Sequence, residues 1–311
     1  MSYVTLRDAF FNKLYDLAKK NPDIVLVVAD MSAPALDKFR YEMPSQFVNV
    51  GIAEQNAIVI GSGLTLAGKK VFVYAIAPFI TLRCLEQIRV SNCIMNIPIT
   101  IVGMGTGLSY DSDGPTHHLI EDISILRSLP NIKISNITDN VMAEAFFEKL
   151  YDPNMTNYVR LDKDFCSDIY DADFDFSKGM SKISNGKDNI IISTGHMVPI
   201  ISKIIKDNSL DVGLIDVFQI PINEIAFINM VKDVKKIITI EEHFLPGGLG
   251  SAICEIFNDN NINIPIKRLG LDINSAYKNC YKYGGREIIR SYSGIDRESI
   301  YKTIKEHFNI N

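Results

Sequence analysis

Four short runs in the first half of the chain are apolar at nearly every position: IVLVVAD from Ile24, KVFVYAIA from Lys70, IPITIVG from Ile97 and NYVRL from Asn157. A strand with one face in water alternates apolar and polar residues. A strand that is apolar on both sides has to be covered on both faces, as in a parallel sheet with helices above and below it. Between the runs, residues 5–20, 54–67, 81–92 and 140–151 carry helical periodicity. The alternation of strand and helix predicts an α/β, doubly wound architecture with a parallel sheet.

The pattern lapses after Arg160. The segment LDKDFCSDIYDADFDFSKGMSKISNGKDN is rich in acids, holds Gly179 and Gly186 and has no sustained period, so it reads as a linker with room for a short hairpin. A second α/β run follows, with strands IIISTG, DVGLIDV, KKIITIEE and IPIKRLGL and helices from about 197, 223 and 249. A length of 311 residues suits one large or two medium domains. We therefore expect an α/β domain over 1–165, a linker over 166–187 and a second, smaller α/β domain over 188–311.

Composition closes off several classes of function. A net charge of −5, with no basic stripe interleaved with aromatics, gives nucleic-acid binding no electrostatic support. The five cysteines (Cys84, Cys93, Cys166, Cys254, Cys280) include no C-x-x-C pair, which fits reduced thiols in the cytoplasm rather than a disulfide scaffold or zinc site. The first twenty residues mix acids and lysines as an amphipathic helix does, unlike a signal peptide. The uncharged stretch 90–110 is too broken by Asn, Pro and Gly to span a membrane.

In open parallel sheets ligands bind beyond the carboxyl ends of the strands. Several unusual residues fall there: Asp30 and Ser32 after the first run, Glu54 after FVNV, Phe79 after VYAIAP, and Arg160 near the end of NYV. The segment GMGTGLSYDSDGPTHHLIED, after ITIV, brings Asp113, His117, His118, Glu121 and Asp122. Glu54 poses the sharpest question. An ionised carboxylate among apolar residues is costly unless a partner pairs with it or shares a proton. A helix N-terminus favours an acid for its dipole alone, so the position by itself leaves both answers open. Adjacent histidines point apart and lack a second ligand pair, so we expect no metal site. The glycine turn of EEHFLPGGLGSAI meets neither phosphate-loop fingerprint and reads as tight strand-to-helix packing or a domain interface.

Taken together, NVGIAEQNAI, DSDGPTHHLIEDISILRSLPN and YVRLDKDF, in this order and at these separations, resemble the transketolase family of thiamin-diphosphate enzymes. The likeness continues into ITIEEHFLPGGLGSAI, so the whole chain is similar to the C-terminal half of a transketolase: pyrimidine-binding domain, then transketolase C-terminal domain. The resemblance implies that Glu54 hydrogen-bonds N1′ of the cofactor's aminopyrimidine, and it makes Phe79 the candidate to stack on that ring. It further implies that Asp113 and His117 face a sugar substrate, with Asp30 and Ser32 on the substrate side and Arg160 holding a substrate phosphate.

Two departures from the family pattern matter. The G-D-G…N-N half that carries the diphosphate and magnesium ligands has no counterpart here, which implies a split enzyme. A partner polypeptide would supply that domain and the magnesium ligands, in an α2β2 heterotetramer. A substrate histidine that precedes the glycine loop in full-length transketolases is also absent, which implies a different sugar. Deoxyxylulose-phosphate synthase, the β chains of 2-oxoacid dehydrogenases and a non-catalytic paralogue are the competing readings. Pro115 in D-G-P-T-H favours transketolase.

Overall fold

The computed structural model describes residues 4–31, 33–165, 167–274, 278, 281–282 and 284–310. Six strands, β1 (Ile24–Val28), β2 (Phe47–Asn49), β3 (Lys70–Ile76), β4 (Thr100–Met104), β5 (Ile132–Asn136) and β6 (Thr156–Leu161), run parallel in the order β2-β1-β3-β4-β6-β5. The apolar runs are explained by burial on both faces. In β1, Leu26 and Val28 pack into one core with Phe10, Phe11 and Leu36, while Val25 and Val27 pack into a second with Ala57, Ile58 and Ile80. Successive side chains of a strand point to opposite sides, so both sets have to be apolar. Each such buried aliphatic side chain contributes about 1.5–3 kcal/mol.

The second sheet contains β7 (Met180–Ser184), β8 (Asn189–Ser193), β9 (Gly213–Val217), β11 (Lys236–Phe244) and β12 (Ile266–Leu271), ordered β12-β11-β8-β9-β7. It too has a core on each face. Ile191, Leu214 and Ile238 meet the helices Met197–Asp207 and Arg297–Phe308. Ile190, Ile215 and Ile237 meet Glu224–Val231 and Leu249–Asp259. A two-residue strand between β9 and β11, β10 (Gln219–Ile220), leaves this unit and pairs antiparallel with β5, closing the edge of the first sheet.

Two local expectations need correction. The segment 166–187 is not only a connector, because β7 lies in it and pairs antiparallel with β9 as an edge strand. The helix expected over 81–92 is a turn, one helical turn at Leu85–Gln87 and a wide π-helical run, Ile88–Ile94. Within that run Asn92 is fully buried and donates to Ser62 Oγ (2.8 Å) and Ile97 O (3.0 Å), which ties it to the helix Glu54–Leu66.

Where the two units meet, Asp216 of β9 accepts hydrogen bonds from Thr138 Oγ1 (2.6 Å) and Tyr170 Oη (2.8 Å), while its Oδ1 has no partner. Burial pushes this carboxyl up to about 7. The unfolded chain gives up the same proton near pH 4, so the native state holds an extra proton between those values. Stability then falls by about 1 kcal/mol per pH unit as pH rises from 4 to 7. Asp216→Asn keeps an acceptor for both hydroxyls and never ionises. Denaturant unfolding is expected to show it level with the parent at pH 4.5 and more stable at pH 8. An equal effect at both values would exclude proton uptake at this site.

Candidate active site

Glu54 is the first residue of the helix Glu54–Leu66, immediately beyond the end of β2, and is only 4% exposed. Its carboxylate is at the base of an open cavity of about 530 Å3 lined by Ile52, Asn56, Val59, Arg83 and Gln87. A negative charge at this helix end meets the favourable pole of the dipole, and Arg83 Nη1 donates to Glu54 Oε2 at 2.9 Å. The same guanidinium lies 4.3 Å from the centroid of the Phe79 ring. Phe79 in turn meets the His117 ring edge-on, with centroids 5.1 Å apart and planes at 68°. Glu54, Arg83, Phe79 and His117 thus form one contiguous chain of side chains drawn from the ends of β2, β3 and β4.

Local structure fixes each member. Phe79 is in the helical turn Ala77–Ile80 that follows β3, with Pro78 in its first turn. The turn is held by Cys84, whose thiol donates to Phe79 O (3.2 Å). Burial, helped by the Glu54 charge, pushes that thiol up to about 12, so it stays protonated and unreactive. His117 N donates to Gly114 O (3.0 Å), and the His117 Nδ1 is 3.1 Å from Thr116 Oγ1. Asp113 is exposed on the same loop and accepts from Ser112 Oγ (3.2 Å). Asp30 is exposed at the end of β1, where its amide donates to Asn49 Oδ1 (3.1 Å) at a φ of 49°. Ser32 lies outside the described residues.

Arg160 does not join this group. It is 4% exposed, and its Nε and Nη2 bind both oxygens of Asp122 (2.7 and 3.1 Å). Tyr158 Oη donates to the same carboxylate (2.7 Å), and His243 Nε2 is 3.9 Å from it. The neighbouring void, about 20 Å3, has room for a water at most. A guanidinium spent in this way has no free fork for a substrate phosphate, so the phosphate-binding role is withdrawn. Its acidic partner is Asp122, whereas Asp162, the acid close to it in sequence, pairs with Arg286.

The glycine turn of the second unit is likewise satisfied from within. Glu241 accepts from Leu249 N (2.7 Å) and Gly250 N (2.9 Å) at the start of the helix Leu249–Asp259, filling the place an anion would take. Asp162, Asp164 and His196 bring ligand atoms within 4.8 Å of one another. Arg286 already bonds both aspartates, at 2.9 Å and 2.7 Å, which leaves a cation little to gain there. No helix among the described residues is long and apolar enough to cross a membrane.

Arg83 was not legible in advance. The one available signal is a lone cation in the apolar stretch PFITLRCL, four residues after Phe79, where a helical turn brings the two side chains together.

Comparison with known proteins gives a consistent result. The family described as "Transketolase, pyrimidine binding domain" matches residues 2–164, and "Transketolase, C-terminal domain" matches residues 179–287. One of the two polypeptides of the apulose-4-phosphate transketolase of Phocaeicola vulgatus is 33% identical over 311 residues, 97% of each chain. The putative transketolase C-terminal section of Methanocaldococcus jannaschii is 32% identical over 98% of this chain and 96% of its own. A split gene transketolase, solved as an inactive β4 tetramer, superposes with a TM-score of 0.83 at 25% identity over 99% of both chains.

Proposed function

The chain belongs to the transketolase family, and on that premise we propose that it is the β-type half of a split transketolase. It moves a two-carbon ketol unit between a ketose and an aldose, together with a partner chain that carries the diphosphate-binding domain. The single observation that carries this reading is the buried Glu54 carboxylate at the base of an open cavity, with the Phe79 ring and His117 on one side of it.

Enzymes of this family use thiamin diphosphate, and the residues present suit its aminopyrimidine end. Glu54 offers a carboxylate to share a proton with a ring nitrogen, and Phe79 offers an aromatic face for stacking. The Arg83 guanidinium rests on both, a planar cation whose N–H already meets Glu54. When bound, the cofactor supplies the electron sink for breaking a carbon–carbon bond beside a carbonyl. The diphosphate and its magnesium would be held by the partner chain, which carries the G-D-G…N-N half. On the substrate side, His117 would donate to or accept from the sugar's oxygens and Asp113 would bind its hydroxyls. The similarity to a relative named for apulose-4-phosphate supports a sugar phosphate as the substrate class. The description of a β4 assembly as inactive supports the need for the second polypeptide, and we assign the working enzyme as α2β2.

Calorimetric titration tests this directly. Thiamin diphosphate with magnesium is expected to bind the assembled pair at micromolar or tighter concentrations, and the isolated chain at least about a hundredfold more weakly, a difference of about 2.7 kcal/mol. Equal, tight binding to the isolated chain would refute the split site. No binding in either preparation would refute the enzymatic reading.

A further inference from the structure

The loop that carries Asp113 and His117 is closed at its base. Gly107 and Leu119 exchange both backbone hydrogen bonds (2.8 and 2.9 Å) as an isolated antiparallel bridge, so the residues between them form an excursion with a defined neck. The second unit grips that neck on both sides. Glu242 Oε1, on β11, accepts from Leu108 N at 2.6 Å, and Phe244 N, two residues on, donates to Ile120 O at 2.8 Å. The contact is close enough to require glycine at position 107: φ there is +61°, and a Cβ would stand 2.3 Å from Glu242 Oε1. The Glu242 carboxylate is aimed in turn by Arg286, whose Nε lies 3.1 Å from both of its oxygens, and by Arg290, which binds Oε2. All three side chains are at least nine-tenths buried.

A carboxylate can neutralise two arginines without reaching the backbone of another unit. This one does both, and the amide it holds is next to the bridge that sets the loop's direction. We propose that Glu242 is a positioning residue, which fixes through Leu108 N–H where the loop presents Asp113 and His117, so that the second unit belongs to the framework of the active site. The consequence for catalysis rests on the function proposed above; the grip on the neck does not.

Two substitutions separate positioning from charge balance. Glu242→Asp keeps the charge beside Arg286 and Arg290 but withdraws the oxygen from Leu108 by one methylene. Glu242→Gln loses the charge but keeps an oxygen within reach. In the full-length chain, hydrogen exchange read by mass spectrometry is expected to accelerate about tenfold or more in peptides covering 105–120 for Glu242→Asp, with peptides of β1 and β3 unchanged. For Glu242→Gln those loop peptides should stay protected even though the chain melts earlier. In the assembled pair, Glu242→Asp should raise KM for the ketose donor about tenfold with thiamin diphosphate affinity unaltered, and Glu242→Gln should restore KM. Wild-type exchange in the Asp variant, or a Gln variant more impaired in KM than Asp, would overturn the proposal. If the unmodified pair transfers no ketol unit, the functional reading fails, and the exchange result still decides whether Glu242 holds the neck.

Discussion

Replacing Glu54 by alanine in the assembled enzyme is expected to lower kcat by about a thousandfold or more while hardly moving the melting temperature. The magnitude follows from the role: a positioned proton-sharing group contributes about 10² to 10⁴ in rate. The small effect on stability follows from the surroundings. Glu54 is buried, but its ion-pair partner Arg83 has a side chain that is 46% exposed and can turn into water once the carboxylate is gone. A pair with one member so exposed contributes about 1 kcal/mol or less. Glu54→Gln is the more searching variant. It preserves shape and can still accept from Arg83, yet an amide cannot share a proton with a ring nitrogen. The glutamine variant should therefore be as slow as alanine. A glutamine variant with more than about a tenth of the parent kcat would show that Glu54 serves by shape or dipole alone, and would remove it from the chemistry.

What could be read from the sequence, and what could not, follows from the range of the interactions. The sheets were legible because residues such as Val25, Leu26, Val27 and Val28 leave no polar side for water, which only a covered strand tolerates. Glu54 was legible because one acid among apolar residues at the end of a strand demands an explanation. The edge strand β7 was not: Met180 and Ser181 are buried but Lys182 is exposed, and Gly179 and Gly186 punctuate so short a run as a loop would. The pairings of the arginines were equally hidden. Arg160 takes Asp122, 38 residues away, and Arg286 takes Asp162, 124 residues away. Nothing local distinguishes those carboxylates from the other acids, because the choice is made by how the two units pack. For the same reason EEHF reads as a packing motif in the sequence and becomes a grip on the Asp113 loop only when β11 lies across it.

The largest expected loss of stability comes from Arg286. Its guanidinium, 8% exposed, bonds Glu242, Asp162 (2.9 and 2.7 Å) and Asp164 (2.7 Å), joining the C-terminal helices, β11 and the end of the first unit. Burial alone would raise both buried carboxyls. The guanidinium outweighs it, holding Asp162 well below the usual carboxylate range and Glu242 down at about 2. With folded values depressed, their contribution is complete above about pH 4.5 and is lost as pH falls through the folded values, so the parent should lose stability in acid. Arg286→Met fills much of the same space and leaves Asp162 buried without that cation. The expected cost is about 3–5 kcal/mol at pH 7, the usual result of orphaning a buried charge. For a chain of this size that is roughly 10 °C in melting temperature. The sign of the pH dependence should also reverse. Without the guanidinium, burial dominates at Asp162, the native state takes up a proton that the unfolded chain has lost, and stability declines as pH rises from 4 to 7. Melting curves of the two proteins at pH 4.5, 5.5 and 7 should therefore converge toward acid. Curves that remain parallel would mean that Arg286 stabilises by packing its stem, with little contribution from its charge.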